Sequence, residues 1–130
     1  MKSIAISTSQ REEFVDITDL VNNIVRQSSP KDGVCHVFCP HTTAGLIMNE
    51  CADSAVVVDM KVAFGKMVPD EGRWLHLEGN SPAHVKASLT GSSLMIPVIG
   101  GSLRLGTWQG IFLCEFDGPR TREVWVQTGS

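Results

Sequence analysis

With 130 residues, 42% of them hydrophobic, the chain is long enough to bury one core and short for two. A net charge of -3 and eleven scattered basic residues argue against a nucleic-acid surface, and no apolar run reaches the ~20 residues a membrane-crossing helix requires. Aromatic residues are few (five Phe, three Trp, no Tyr), so Val, Ile, Leu, Ala and Met must supply most of the core.

Residues 2–9 alternate, with Ile4 and Ile6 on one face, and residues 14–17 repeat the pattern after Gln10-Arg11-Glu12-Glu13, which predicts a hairpin. This alternation differs from the continuous apolar centre of a signal peptide, so a cytoplasmic protein is expected. Thr18 is a suitable N-cap for a helix running to about Ser28, with Leu20, Val21, Ile24 and Val25 as its apolar stripe and Pro30, Asp32 and Gly33 as its stop.

Residues 34–39 have strand composition, Pro40 interrupts them, and residues 44–48 read as a second extended segment. A second helix is expected from about Asp53 to Val68, with Val56, Met60, Ala63, Phe64 and Met67 at helical spacing, followed by a turn at residues 69–72. Ser81 and Pro82 form an N-cap and first-turn pair for a short third helix that Gly91 ends. Residues 93–98, 111–117 and 122–127 are further strands, separated by turns at Gly100-Gly101 and Asp117-Gly118-Pro119. No repeat or linker interrupts the chain. The reading is a single α+β domain over residues 1–130, with antiparallel strands and about three helices.

Imidazole is both a common metal ligand and an ordinary core residue, so each of the four histidines taken singly reads as structural. His36, between Cys35 and Val37 in an apolar strand, reads as buried. His41 follows Pro40 at a strand break, where a side chain can face a cleft. The connection from His76 to His84 is short enough to fold back and bring both rings to one ion, with His41 as a distant third ligand. Three neutral imidazoles leave one coordination position for water or substrate, the arrangement of catalytic zinc sites. Glu78 or Glu115 could replace a ligand or orient a histidine.

Cys35, Cys39, Cys51 and Cys114 lack a Cys-x-x-Cys spacing and read as mostly reduced core residues. A thiolate site at Cys35, Cys39 and His41 is the less favoured alternative. The helix start at Ser81-Pro82 favours an anion, which Arg120 could clamp by a bidentate contact. Asn49, Glu50, Asp59, Trp108 and Gln109 are additional polar or amphipathic candidates, each equally readable as a turn, helix-surface or packing residue.

Taken together, His41-Thr42-Thr43-Ala44 with Asn49-Glu50, residues 80–89 with Ala83-His84 and Lys86, and residues 105–110 running on to Glu115-Phe116-Asp117-Gly118-Pro119-Arg120 resemble the YjbQ-like family, also labelled secondary thiamine-phosphate synthases. The resemblance spans about residues 3–127. It implies an α+β fold with antiparallel sheets, a homotrimer, and a cleft near a subunit boundary where His41, His76 and His84 hold a metal ion. It also places Asn49, Glu50, Asp59, Asn80, Trp108, Gln109, Glu115, Asp117 and Arg120 at family-typical positions, some of them lining the cleft. The four cysteines are outside that pattern.

The activity implied is the joining of hydroxymethylpyrimidine diphosphate to thiazole phosphate, giving thiamine phosphate, with Asn49, Asn80, Trp108, Gln109 and Arg120 on the substrates. Magnesium would suit the diphosphate, whereas three imidazoles suit zinc, nickel or iron. The alternatives are a metal-dependent hydrolase acting on a small anionic or phosphorylated metabolite, with Glu50 or Glu115 moving the proton, and a non-catalytic trimeric module that binds a metal or anion.

Overall fold

The computed structural model describes residues 1–28, 31–72 and 74–130. In chain order the elements are β1 (Lys2–Ser7), β2 (Glu13–Asp16), α1 (Thr18–Arg26), β3 (Gly33–Phe38), β4 (Ala44–Glu50), α2 (Ser54–Met67), α3 (Ser81–Thr90), β5 (Ser93–Ile99), β6 (Ser102–Leu103), β7 (Gln109–Glu115) and β8 (Thr121–Gly129). The strands form two antiparallel sheets, one ordered β1-β8-β3-β5-β6 and a smaller one ordered β2-β7-β4. The α+β expectation holds, with three helices among the described residues.

Alternation along each strand builds the layers. Ile6, Cys35, Val37, Ile96, Val98, Val124 and Val126 project from the larger sheet onto α1 and onto Leu46, Ile111 and Leu113 of the smaller one. The opposite face of the smaller sheet carries Phe112 and Cys114, which with Phe116 pack under Ala83 and Ala87 of α3 and against Phe64 of α2. Strand β7 is therefore buried on both faces, and it reads as a continuous apolar run instead of an alternating one. Phe14 and Phe64 each approach Phe116, with the rings edge-on to it at centroid distances of 6.0 and 6.2 Å.

Several sequence expectations are corrected here. Residues 2–9 and 14–17 do not pair with each other: β1 pairs with β8 and β2 with β7, so the polar turn carries the chain from one sheet to the other. Ile17, not Thr18, is the N-cap of α1. Asp16 Oδ1 accepts the Thr18 N–H at 3.0 Å, and Thr18 Oγ1 in turn accepts the Ile111 N–H at 2.8 Å, tying the helix to β7. The expected stop at Pro30 lies outside the described residues; the helix ends at Arg26. Asn80, not Ser81, caps α3, and Gly91 ends it with φ at 92°.

His36 is exposed, because Cys35 and Val37 take the inward parity; its Nε2 bonds Ser93 Oγ on the outer face of the larger sheet. Helix α2 starts after Asp53, whose Oδ1 accepts the Ala55 N–H at 2.9 Å. Its inward residues are Val57 and Phe64, while Ala63 and Met67 of the expected stripe face out. The helix is apolar nearly all round, which hid its buried side from a periodicity argument.

Gly45 sets the separation between β4 and the end of α3. A Cβ there would lie 2.0 Å from Thr90 Oγ1 and 2.7 Å from the Gly91 carbonyl oxygen, and the latter cannot rotate away. Gly45→Ala is expected to cost about 1–3 kcal/mol in chemical denaturation, the range of overpacked cores, whereas Gly65→Ala on open α2 surface should not destabilise.

Candidate functional site

Pro40 ends β3, and the register that pairs Phe38 with Trp125 stops there. The chain then turns through His41, Thr42 and Thr43 before β4 begins. Instead of continuing the ladder, the His41 ring meets the next stretch of β8: the Glu123 N–H donates to His41 Nε2 at 2.9 Å, and the Glu123 carbonyl oxygen lies 3.1 Å from the same nitrogen. Burial and the nearby Arg122 charge lower the His41 pKa, outweighing the Glu123 hydrogen bond and the Glu115 and Glu123 charges, so the ring is neutral at pH 7.

Beneath this turn lies a buried ion pair. Arg122 Nε donates to Glu115 Oε1 at 2.9 Å and Oε2 at 3.1 Å, and its Nη2 bonds Glu115 Oε2, Thr43 Oγ1 at 2.8 Å and the Thr43 carbonyl at 3.2 Å. Thr8 Oγ1 donates to Glu115 Oε1 at 2.8 Å and the Asp117 N–H donates to Oε2 at 3.1 Å. Glu115 is 0% exposed and Arg122 4%. Burial pushes the Glu115 carboxyl up. The hydrogen bonds from Arg122, Thr8 and Asp117, with the Arg122 charge, more than reverse this and hold it below its ordinary range. Every position around this carboxylate is taken, so it is structural ballast for the turn and unsuited to carrying a proton to substrate. Sequence reading missed Arg122; the available signal was its inward parity with Val124 and Val126 on β8.

Helix α3 forms the opposite wall. His41, Thr42, Ala44, His84, Ser88 and Ser92 line a cavity of about 380 Å³. On its other side His84 borders a second hollow with Trp74, Leu75, His76, Ser81 and Val85, about 480 Å³. The His76 and His84 rings stand edge to face with centroids 5.2 Å apart. Two imidazoles on one tetrahedral zinc, with Zn–N near 2.0–2.1 Å, have centroids roughly 5 Å apart, a separation that edge-to-face ring packing also gives. Glu78 Oε2 lies 3.7 Å from His76 Nε2. His41 joins His84 on the first cavity, but among the described residues no three His, Cys, Asp or Glu side chains are already gathered at ligating distance. The residues that could hold a metal are therefore the His76–His84 pair, with the His41 imidazole across the cavity.

The thiolate alternative is disfavoured. Cys35 and Cys39 are buried, and burial pushes the Cys35 thiol up to about 11 and raises that of Cys39 as well.

The remaining predicted residues separate into two groups. Asn80 Nδ2 and Arg120 Nη2 both donate to Asp117 Oδ2 at 2.9 Å, so the start of α3 and the Arg120 turn meet on one carboxylate near the cleft. Burial raises the Asp117 pKa, and the bonds from Asn80 and Arg120 together with the arginine charges bring it below its ordinary value. Arg120 is thereby committed, its Nε also donating to the Asp117 carbonyl at 2.7 Å.

Asn49, Glu50, Trp108 and Gln109 lie elsewhere. Ala44 pairs with Glu115 at one end of the β4–β7 ladder and Glu50 pairs with Gln109 at the other, six residues or about 20 Å away. There Asn49 Oδ1 accepts the Glu50 N–H at 2.7 Å, Glu50 Oε2 the Ala52 N–H at 3.0 Å, and Gln109 Oε1 the Gly106 N–H at 2.8 Å, all local turn contacts. Trp108 is exposed, as is Asp59 on α2.

The profile of the UPF0047 YjbQ-like proteins matches residues 2–130. The chain belongs to that family. It is 48% identical over 122 residues to the UPF0047 protein MJ1081 of Methanocaldococcus jannaschii, covering 94% of this chain and 88% of that one. It is 44% identical to the UPF0047 protein YugU of Bacillus subtilis, covering 98% and 97%. Among solved structures, a conserved YjbQ/UPF0047 family protein of Clostridium acetobutylicum superimposes with a TM-score of 0.97 at 50% identity, over 99% of this chain and 100% of that one. The Thermus thermophilus protein TT1486 gives 0.92 at 42% identity, with 99% and 100% covered. The YjbQ-like fold is therefore established for the whole chain, and no helix among the described residues is long and apolar enough to cross a membrane.

Two titrations follow from this site, both costing stability on acidification. The Glu115 carboxyl is depressed when folded, so its contribution is complete above the ordinary value of 4.5 and is lost as pH falls through the folded value. The lowered His41 pKa means the unfolded chain takes up that proton first, so stability also begins to fall as pH drops through 6.5. Urea titrations from pH 8 to 3 should show both declines, with the upper one absent from His41→Ala and the lower one reduced in Glu115→Gln.

Proposed function

We propose that the cleft between the 41–43 turn and α3 binds a divalent ion, zinc by the character of its donors, and that the protein is a metal-dependent hydrolase of a small polar or anionic substrate. The spacing of His76 and His84 carries this reading, since the two rings stand at the separation expected of a shared tetrahedral ion and His84 borders both hollows of the cleft. When bound, the ion supplies Lewis-acid polarisation of a substrate oxygen. His41, neutral and across the cavity, serves as third ligand or as a hydrogen-bond partner of the substrate. Glu78, exposed and 3.7 Å from His76 Nε2, takes the proton-carrying role expected of Glu50 and Glu115. Thr42, Ser88 and Ser92 receive a polar head, while Trp74, Leu75 and Val85 receive an apolar part on the far side of His84.

Thiamine-phosphate synthase activity is the second reading. The start of α3 with Arg120 nearby favours it, because a helix N-terminus and an arginine suit phosphate groups, but both already serve the Asp117 carboxylate. A departing diphosphate also needs uncommitted positive charge, and Arg120 and Arg122 are already paired with Asp117 and Glu115. The charge would then fall to the ion, and magnesium prefers oxygen donors to the imidazoles of this cleft. The hydrolase reading is the better fit.

Homotrimeric assembly belongs to the same proposal. Leu75 and Leu77 are 94% and 99% exposed beside His76, and Val58 and Val62 of α2 are also solvent-facing, surfaces that a second copy would cover. The 20 Å between the histidine cleft and the Glu50–Trp108 end is too great for one small substrate, so both groups would serve one site only if neighbouring subunits brought them together. The three buried free thiols suit the reducing cytoplasm, where we place the protein.

Isothermal titration of metal-free protein with zinc should give about one site per chain, abolished by His84→Ala and weakened at least tenfold by His76→Ala or His41→Ala. Undiminished zinc binding by His84→Ala would reject the ligand assignment. Light scattering should return three times the chain mass; a monomer would remove the shared-site reading.

A further inference from the structure

The 41–43 turn is gripped from two sides by consecutive residues of β8. Arg122 holds Thr43 through the hydroxyl at 2.8 Å and the carbonyl at 3.2 Å, while the Glu123 backbone holds the His41 ring through Nε2 alone. The Phe116 N–H also donates to the Thr43 carbonyl at 3.1 Å. Nδ1 has no hydrogen-bond partner in the protein among the described residues, and His41 lines the 380 Å³ cavity. We infer that Arg122, itself fixed by Glu115, is a positioning residue that anchors His41 through Nε2 and so presents Nδ1 as the nitrogen that works in the cleft. This rests on reading the cleft as the functional site, but it requires no metal to be bound.

The ring tautomer decides what that nitrogen offers. If Nε2 accepts the Glu123 N–H, the proton sits on Nδ1 and the ring offers the cavity a donor. If Nε2 carries the proton and donates to the Glu123 carbonyl, Nδ1 offers a lone pair, the arrangement in which backbone carbonyls support ligating histidines. Both partners come from Glu123, at 2.9 and 3.1 Å, and the first arrangement is the better satisfied, because the second sets the Glu123 N–H against a protonated Nε2. Arg122 is suited to holding the turn because its planar fork spans Glu115 and Thr43 at once, which a lysine ammonium cannot do in the same geometry. Thr43 is 6% exposed, so its hydroxyl has little water to fall back on.

The test is nitrogen-15 NMR of the histidine side chains in metal-free protein at pH 8, where imidazoles are neutral. Wild type should show a single His41 spin system in which Nε2, and not Nδ1, is hydrogen-bonded to protein. Arg122→Lys should broaden or double the His41 signals and speed exchange between its ring nitrogens at least tenfold. Thr43→Val should produce a smaller change of the same kind, and Thr43→Ser should retain the wild-type pattern. The His36 signals, on the outer face of the other sheet, should not move in any of them. Should Arg122→Lys fail to fold, the Val and Ser variants at Thr43 decide the matter. A wild-type spectrum with Nδ1 bonded to protein, or unaltered His41 signals in folded Arg122→Lys or Thr43→Val, would overturn the inference. Failure to bind zinc would reject the metal reading and leave this result standing.

Discussion

The buried pairing of Glu115 with Arg122 is the constraint on which the arrangement of the cleft depends. It joins the end of β7 to the start of β8, reaches Thr8 after β1, and supports Thr43 at the entry to β4. Four separate stretches of chain thus converge on two side chains with almost no access to water. Removing either partner would leave an uncompensated charge in the interior, typically worth 3–5 kcal/mol. An ion pair of this kind is weak evidence for overall stability, because an apolar pair of equal volume can do as well. What it supplies is direction: the carboxylate accepts from three sources and the guanidinium donates to three oxygens and a carbonyl, so the loops meet in one geometry.

Chemistry and scaffold are divided along the same line. The loop after β3 and the face of α3 bring imidazole and hydroxyl groups to the cleft, while the charged residues beneath them are saturated. A carboxylate with every lone pair engaged holds things still, whereas Glu78 stands open to solvent. This distinction between Glu115 and Glu78 concerns partners, not residue type. Composition and spacing could nominate both, but only the packed structure separates them.

The larger features of the fold were legible because they rest on local chemistry. Asp53, Pro82 and Gly91 punctuate the helices where capping rules place them, and period-two alternation marks β3, β5 and β8. Strand partnership was not legible: β1 and β2 look like a hairpin by spacing, but each finds its partner about a hundred residues away, and nothing in a short polar turn records that choice. The periodicity of α2 failed for a different reason, since apolar residues on nearly every side leave little phase to read. At the site, the convergence of His76 and His84 was readable from their short separation. The separation of Glu50 from the His41 turn was not, since β4, about 20 Å long, lies between them although they are near neighbours in sequence.

The double burial of β7 has a consequence for how the smaller sheet finds its alignment. A strand with one wet face is kept in phase by polarity, because sliding by one residue turns its apolar set outward. In β7 such a slide would merely exchange Ile111 and Leu113 for Phe112 and Cys114, trading one greasy face for another. Phase must therefore come from the ends. At one end Gly110 sits where a Cβ would meet Cys51 Cβ at 2.6 Å, so no other residue can slip into its place without a clash. At the other, Glu115 reaches its arginine only when the strand is in step. The pair that shapes the cleft is also the vernier mark of the strand above it.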